Sequence, residues 1–155
     1  MLRVDYANRQ STVVWIASDH GGFDGKAVAL DHIQSLGYDV KDLGTYSKDS
    51  VDYPDFAKAV ARKILENPDH CGVLLCGTGI GISIAANRFK GIRAALCTSE
   101  AHAKMARKHN DANIIVMGGR TTSPELIRQM LSTWFSTTFE QGRHIRRIEK
   151  IDQEE

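Results

Sequence analysis

The chain has 155 residues, of which 42% are hydrophobic and 25% charged, a composition typical of one globular domain with a buried core. A formal net charge of +1 excludes the strong basic field that binds nucleic acid or an anionic membrane. No apolar run approaches the roughly 20 residues that span a bilayer, and residues 1–11 resemble no signal peptide. We therefore expect a cytoplasmic protein without nucleic-acid or membrane partners, with a short extension over 1–11 and a single domain over 12–155.

Apolar residues follow two patterns along the chain. Continuous apolar runs rich in β-branched residues predict buried strands, whereas apolar residues that recur every three or four positions predict helices. The first half is expected to form a strand over 13–17, a helix over 23–36, a strand over 38–43, a helix over 54–65 and a strand over 72–76. The second half is expected to form a helix ending before Gly91, a strand over 92–97, a helix over 99–108, a strand over 113–117 and a helix that begins at Ser123 and Pro124. A basic segment over 143–150 follows, with no helix predicted.

Strands that alternate with helices and are apolar throughout are typical of a parallel sheet buried on both faces. We therefore expect an α/β fold, namely a three-layer α/β/α, Rossmann-like domain with a five-stranded parallel sheet. Ligands of such folds bind beyond the carboxyl ends of the strands. The segments to inspect for function are therefore 18–20, 76–81, 98–100 and 118–120.

The glycine-rich segment 77–81 joins the third predicted strand to a helix. Glycines let the backbone approach a ligand closely, and the free N–H groups at a helix start favour an anion. The segment is not a dinucleotide fingerprint, because Ile82 stands where the third glycine is needed, and no Walker Gly-Lys-Ser/Thr follows. A tight turn that packs the helix on the strand is the structural alternative.

Cys76 is the last residue of the strand before this loop. A thiol beside a helix N-terminus forms a thiolate readily, and a positioned base can take a proton from carbon next to a carbonyl. The loop amides could supply the donors that the resulting enediolate oxygen needs. Packing at a strand end is the alternative for Cys76. Cys71 and Cys97 lack such neighbours and are expected to be core residues, and an odd number of cysteines favours a reducing compartment.

Three further polar clusters are candidate ligand-binding residues, and each also has a purely structural interpretation. The pair Asp19-His20 follows the first strand, where it would bind a ligand or where Asp19 would cap the next helix. The pair His109-Asn110 falls in a predicted turn and could be a solvated helix end. The basic run over 143–147 suits phosphate, or it forms a solvated face. The histidines show no metal-ligand spacing, so no metal site is expected.

Several motifs, in one order from about Val13 to Ile151, resemble the type B ribose-5-phosphate isomerases. This family also includes galactose-6-phosphate isomerase subunits. The motifs that carry the resemblance are 18–22, 52–54, 76–81 with 85–87, 91–95, 109–113, and 142–144 with Arg147. The resemblance implies interconversion of ribose 5-phosphate and ribulose 5-phosphate through an enediol, as in the non-oxidative pentose phosphate pathway, without metal or cofactor. It also implies a homodimer with shared active sites, or a tetramer.

The resemblance assigns catalytic roles to four residues. Cys76 would move the proton between C1 and C2, and Thr78 would steady the enediolate with the loop amides. His109 would assist opening of the furanose ring, and Asp19 would move protons among the hydroxyls. A larger set would bind the sugar and its phosphate, namely His20, Tyr53, Gly77, Gly79, Ile80, Gly81, Asn110, Arg120, Arg143 and Arg147.

Three alternatives stay open on the sequence alone. A nicotinamide-dependent oxidoreductase could use the same fold, although Ile82 argues against it. A noncatalytic sensor could bind sugar phosphates through the same residues. A six-carbon substrate such as allose 6-phosphate could also be accepted.

Overall fold

The computed structural model describes residues 5–7, 9 and 11–154. Within these residues the strands all run parallel and form one sheet in the order β2-β1-β3-β5-β4. Their bounds are β1 (Val13–Ser18), β2 (Asp39–Asp42), β3 (Cys71–Cys76), β4 (Ala94–Leu96) and β5 (Ile114–Gly118). The predicted five-stranded parallel sheet is confirmed.

Helices cover both faces of this sheet. They are α1 (Phe23–Ser35), α2 (Tyr53–Glu66), α3 (Ile80–Ala86), α4 (Glu100–Asn110), α5 (Pro124–Ser136) and α6 (Arg143–Glu149). Side chains of α1, α4 and α5 pack with Ile16, Val73 and Ile115 on one face. Side chains of α2 and α3 pack with the next residues along the strands, such as Leu74 and Val116, on the other face. Successive strand residues thus enter different cores, which explains why the strands are apolar throughout.

The two ends of the chain differ from the expectation. Arg143–Glu149 forms a helix although only Ile145 and Ile148 are apolar there, which is too few for a helical repeat to be recognised. Near the N-terminus, the buried Tyr6 ring lies 4.3 Å from the Arg107 guanidinium carbon, and its carbonyl accepts a 2.6 Å hydrogen bond from the Tyr38 hydroxyl. Part of the expected extension over 1–11 therefore packs on the domain. Residues 1–4, 8 and 10 lie outside the described residues.

Because the strands are parallel, the sheet has one end where all strands begin and an opposite end where all strands finish. We call the edge where β1, β3 and β5 end the carboxyl edge, and the edge where they begin the amino edge. Each helix that connects two strands returns from the carboxyl edge to the amino edge, as parallel pairing requires. Among the described residues, no helix is both long and apolar enough to cross a membrane.

Candidate active site

The pairing of the three central strands brings their carboxyl ends side by side. Ser18 lies opposite Leu75, and Cys76 lies opposite Gly118. Backbone bonds continue beyond the strands, from the Asp19 N–H to the Leu75 carbonyl at 3.3 Å and from the Gly119 N–H to the Cys76 carbonyl at 2.8 Å. The loops after β1, β3 and β5 therefore share one floor, and Cys76 lies in its centre.

The Cys76 side chain is 5% exposed and lies under the glycine loop. Its Sγ accepts a hydrogen bond from the Gly79 N–H at 3.2 Å. Gly79 has φ of 80°, and a Cβ there would lie 3.0 Å from the Met117 carbonyl carbon, so this amide can be presented only by glycine. An N–H donor aimed at a sulfur atom is a favourable partner for a thiolate.

Thr78 and the remaining cysteines have different environments. Thr78 is exposed, and its Oγ1 accepts a 3.2 Å hydrogen bond from the Ile80 N–H at the start of α3. Burial raises the pKa of Cys71 to about 12 and that of Cys97 to about 12. Neither of these two thiols ionises at neutral pH, which agrees with their expected place in the core.

Asp19 and His20 are held by short backbone contacts next to the glycine loop. Asp19 is 6% exposed, and its Oδ1 accepts a 3.1 Å hydrogen bond from the Gly22 N–H in a 3₁₀ turn. The capping interpretation of Asp19 therefore holds for this turn, yet the carboxylate also lies beside the loop. The His20 Nδ1 accepts a 3.2 Å hydrogen bond from the Val51 N–H, which leaves Nε2 as the donor of the neutral ring.

Tyr53 and Arg120 complete the group at the carboxyl edge. A Cβ at Gly81 would lie 2.7 Å from Tyr53 Cζ, so the tyrosine ring rests on the backbone of the loop. The Arg120 N–H donates to the Gly77 carbonyl at 3.0 Å, and its guanidinium lies over the same residue. A cleft of about 580 Å³ opens beside Tyr53 and is lined by Asp19, His20 and residues 50–55.

The other expected site residues lie at the amino edge. His109 and Asn110, predicted to lie in a turn, are the last two residues of α4, which ends because Asp111 adopts φ of 44°. Arg143 and Arg147 are exposed and four residues apart on α6, hence on one face of that helix. The five residues of β5 span about 17 Å between the two edges. One chain alone therefore does not bring these four residues to Cys76.

Sequence reasoning gave no role to Glu140 and His144. The rings of His109 and His144 stack with centroids 4.4 Å apart and planes at 16°. Glu140 Oε1 lies 3.8 Å from His144 Nε2, and donor atoms of the three residues lie within 4.8 Å of one another. Their spacing in the sequence gives no signal for this contact, because Glu140 precedes α6 and the chain turns at Gln141 and Gly142, which both have positive φ, so no helical turn joins Glu140 to His144.

This histidine pair does not suit a metal ion as it stands. The lone pair of an imidazole nitrogen lies in the plane of its ring, so one ion can bind two rings only where both planes meet. Planes stacked at 16° do not meet within ligand distance of either ring. The stack is therefore a packing contact between α4 and α6 rather than a preformed set of metal ligands.

Comparisons with known proteins identify the family of this chain. The family model described as Ribose/Galactose Isomerase matches residues 14–151. The chain belongs to the ribose/galactose isomerase family. Among curated relatives, the ribose-5-phosphate isomerase B of Escherichia coli is 41% identical over 133 residues, which is 86% of this chain and 89% of that protein. The resemblance drawn from the motifs is confirmed.

Solved structures of the ribose/galactose isomerase family agree with the fold. A ribose 5-phosphate isomerase from Thermotoga maritima is 52% identical, with a TM-score of 0.88, and the match covers 90% of this chain and 97% of that one. A ribose-5-phosphate isomerase B from Mycoplasma genitalium, solved with ribulose 5-phosphate bound, is 41% identical with a TM-score of 0.87. That match covers 91% of this chain and 94% of the Mycoplasma chain.

Proposed function

We propose that this enzyme interconverts D-ribose 5-phosphate and D-ribulose 5-phosphate through an enediol, with Cys76 as the base. The observation that carries the proposal is the 3.2 Å hydrogen bond from the Gly79 N–H to Cys76 Sγ at the carboxyl edge. It gives a thiolate a fixed position beside a row of loop amides. Relatives that bear the name ribose-5-phosphate isomerase support the choice of substrate.

The isomerisation needs one base, one oxyanion site and one proton carrier. The Cys76 thiolate takes the proton from C2 of the open-chain aldose, the electron pair forms the C1–C2 double bond, and O1 takes the negative charge. Loop amides and Thr78 donate hydrogen bonds to O1. The thiol then returns the proton to C1, while Asp19 carries the proton of the O2 hydroxyl to O1. These steps give the ketose with no net gain or loss of protons.

The two groups of residues favour a homodimer with shared active sites. A pentose phosphate is much shorter than the roughly 17 Å between the sheet edges, so one substrate cannot touch both groups of the same chain. A second copy can bring its amino edge over the carboxyl edge of the first. Ile80 and Ile84 are 53% and 62% exposed on α3 beside the glycine loop, and they provide apolar surface for such a contact.

In this dimer the substrate lies between two protomers. His20 and Arg120 of one protomer hold the phosphate together with the partner's Arg143 and Arg147, since arginine forks match phosphate oxygens. Tyr53 and the partner's Asn110 contact the sugar. The partner's His109 delivers a proton to the ring oxygen O4, Asp19 takes the proton of the C1 hydroxyl, and the C1–O4 bond breaks to give the carbonyl at C1.

Free thiols at all three cysteines support a reducing, cytoplasmic compartment.

The purified protein tests this function directly. We expect conversion of ribose 5-phosphate to ribulose 5-phosphate in the presence of a chelator, with allose 6-phosphate assayed in parallel. Persistent turnover with the chelator supports the metal-independent mechanism. Activity on the hexose alone would show that the site is built for a longer sugar, and binding without any turnover would favour a sensor.

A further inference from the structure

The ring of His144 has no role in the proposed reaction, although it touches a residue that has one. It is 5% exposed and stacks face to face on the His109 ring at 4.4 Å. Its Nε2 is buried and makes no hydrogen bond with the described residues. Burial of a polar ring nitrogen without a hydrogen bond costs stability, so the presence of a histidine here calls for an explanation beyond packing.

Glu140 and Lys108 fix this stack between two elements. The Glu140 N–H donates to the Lys108 carbonyl at 2.9 Å, and the two side chains form an ion pair at 3.4 Å. The other Glu140 oxygen lies 3.8 Å from His144 Nε2. The segment before α6 is therefore tied to the end of α4, next to His109, and the plane of the His109 ring is defined on one side.

The surroundings of His144 determine its charge state. Burial lowers the pKa of His144, and the nearby His109, Arg143 and Arg147 act in the same direction, against an opposing effect of Glu140. His144 is therefore neutral at neutral pH and adds no charge to the region.

We propose that His144 is a positioning residue that holds the His109 ring, with support from Glu140, in the plane needed to open the furanose ring of a sugar bound on the partner subunit. This proposal rests on the isomerase function proposed above. His144 touches neither the sugar nor the reacting atoms. It acts by restricting rotation of the His109 ring, so that the edge of the ring faces the substrate.

The two directions of the reaction provide a test. Ribose 5-phosphate is mainly a furanose and must be opened. Ribulose 5-phosphate cannot close to a furanose, because the C5 oxygen carries the phosphate, and so it reacts from the open chain. Loss of ring opening should therefore lower kcat for the aldose far more than kcat for the ketose. Because the equilibrium constant fixes the ratio of kcat/KM in the two directions, KM for the aldose should fall in parallel, as the unopened furanose binds without reacting. A merely structural defect would slow both directions alike.

We would compare His144→Leu, which keeps the volume but not the flat ring, with His144→Phe, which keeps the ring. Turnover of ribose 5-phosphate should fall at least about tenfold in the leucine variant, while turnover of ribulose 5-phosphate changes less than about threefold. The phenylalanine variant should stay close to the wild type in both directions. The control is His102→Ala, at an exposed histidine on α4, the helix that also carries His109. It should leave the turnover of both sugars unchanged.

Equal losses in both directions, or none in the leucine variant, would overturn the proposal. Glu140→Gln changes an exposed position and should skew the two rates in the same sense, so the proposal stays testable if the leucine variant does not fold. If the ratio of kcat for ribose 5-phosphate to kcat for ribulose 5-phosphate is unchanged in Glu140→Gln, that result would also contradict the positioning role of His144. A wild-type protein that converts neither sugar would instead refute the isomerase function itself.

Discussion

Two variants that are each inactive should restore activity when they share a dimer. Cys76→Ala removes the proposed base at the carboxyl edge, and His109→Asn removes the proposed ring-opening group at the amino edge, with the length of β5, about 17 Å, between the two edges of the same chain. In a mixed dimer with shared sites, one site carries both defects and the other carries neither. The mixed dimer should therefore have about half of the wild-type activity.

Co-expression with two affinity tags, followed by purification on both, isolates the mixed dimer for a ribose 5-phosphate assay. Each variant purified alone is the control and should show little turnover. If both groups acted within one chain, each site of the mixed dimer would keep one defect. A mixed dimer no more active than the two single variants would refute the shared site.

Three other predictions concern binding and stability. Arg143→Ala should raise KM for ribose 5-phosphate roughly 10- to 100-fold with little change in kcat, since a charge-assisted phosphate contact is worth about 1.5–3 kcal/mol. Arg128→Ala, at an exposed arginine on α5 outside the proposed phosphate site, should leave KM unchanged, and equal effects of the two substitutions would contradict the assignment. Tyr6→Ala should lower the free energy of unfolding by about 3 kcal/mol, measured by urea denaturation, because its buried ring packs on Arg107, and an unchanged midpoint would argue against that contact. The folded state lowers the pKa of His144, so the unfolded chain binds a proton to this residue more readily. The free energy of unfolding should therefore be unaffected by His144 above about pH 6.5 and should fall as the pH drops below that value. In thermal melts at pH 7.5 and 5.5, His144→Phe should lose less stability between the two than the wild type does.

The carboxyl edge could be predicted from the sequence because its signals are local. Apolar strands that alternate with helices require a parallel sheet, and a parallel sheet places every strand-to-helix loop on one edge. Cys76 and the glycines that follow it sit at such a junction, so their proximity to Asp19 and Arg120 follows from chain order. The packing of Tyr53 on Gly81 depends on how α2 lies against α3, and no local pattern reports that contact.

The amino edge could not be predicted in the same way. His109 ends a helix that runs back from the carboxyl edge, and the residues 143–149 form a helix with few apolar positions. The stack of His109 on His144 joins segments 35 positions apart in the chain, and neither segment carries a repeat that would report the contact. Only the fold reveals that the expected site residues divide between two edges, and this division is what motivates the proposed dimer.

The turnover of Cys76→Ala, compared with the wild type and with Cys97→Ala, tests the central claim most directly. In the proposed mechanism this thiol is the base in both proton transfers at carbon, so the rate with ribose 5-phosphate should fall by about 10² to 10⁴ while the fold stays intact by circular dichroism. Cys97→Ala removes a buried thiol that contacts the Ala95 carbonyl instead of an amide of the glycine loop, and it should leave the chemistry unchanged at permissive temperature. A Cys76→Ala protein that turns over ribose 5-phosphate at a rate near that of the wild type would contradict the account.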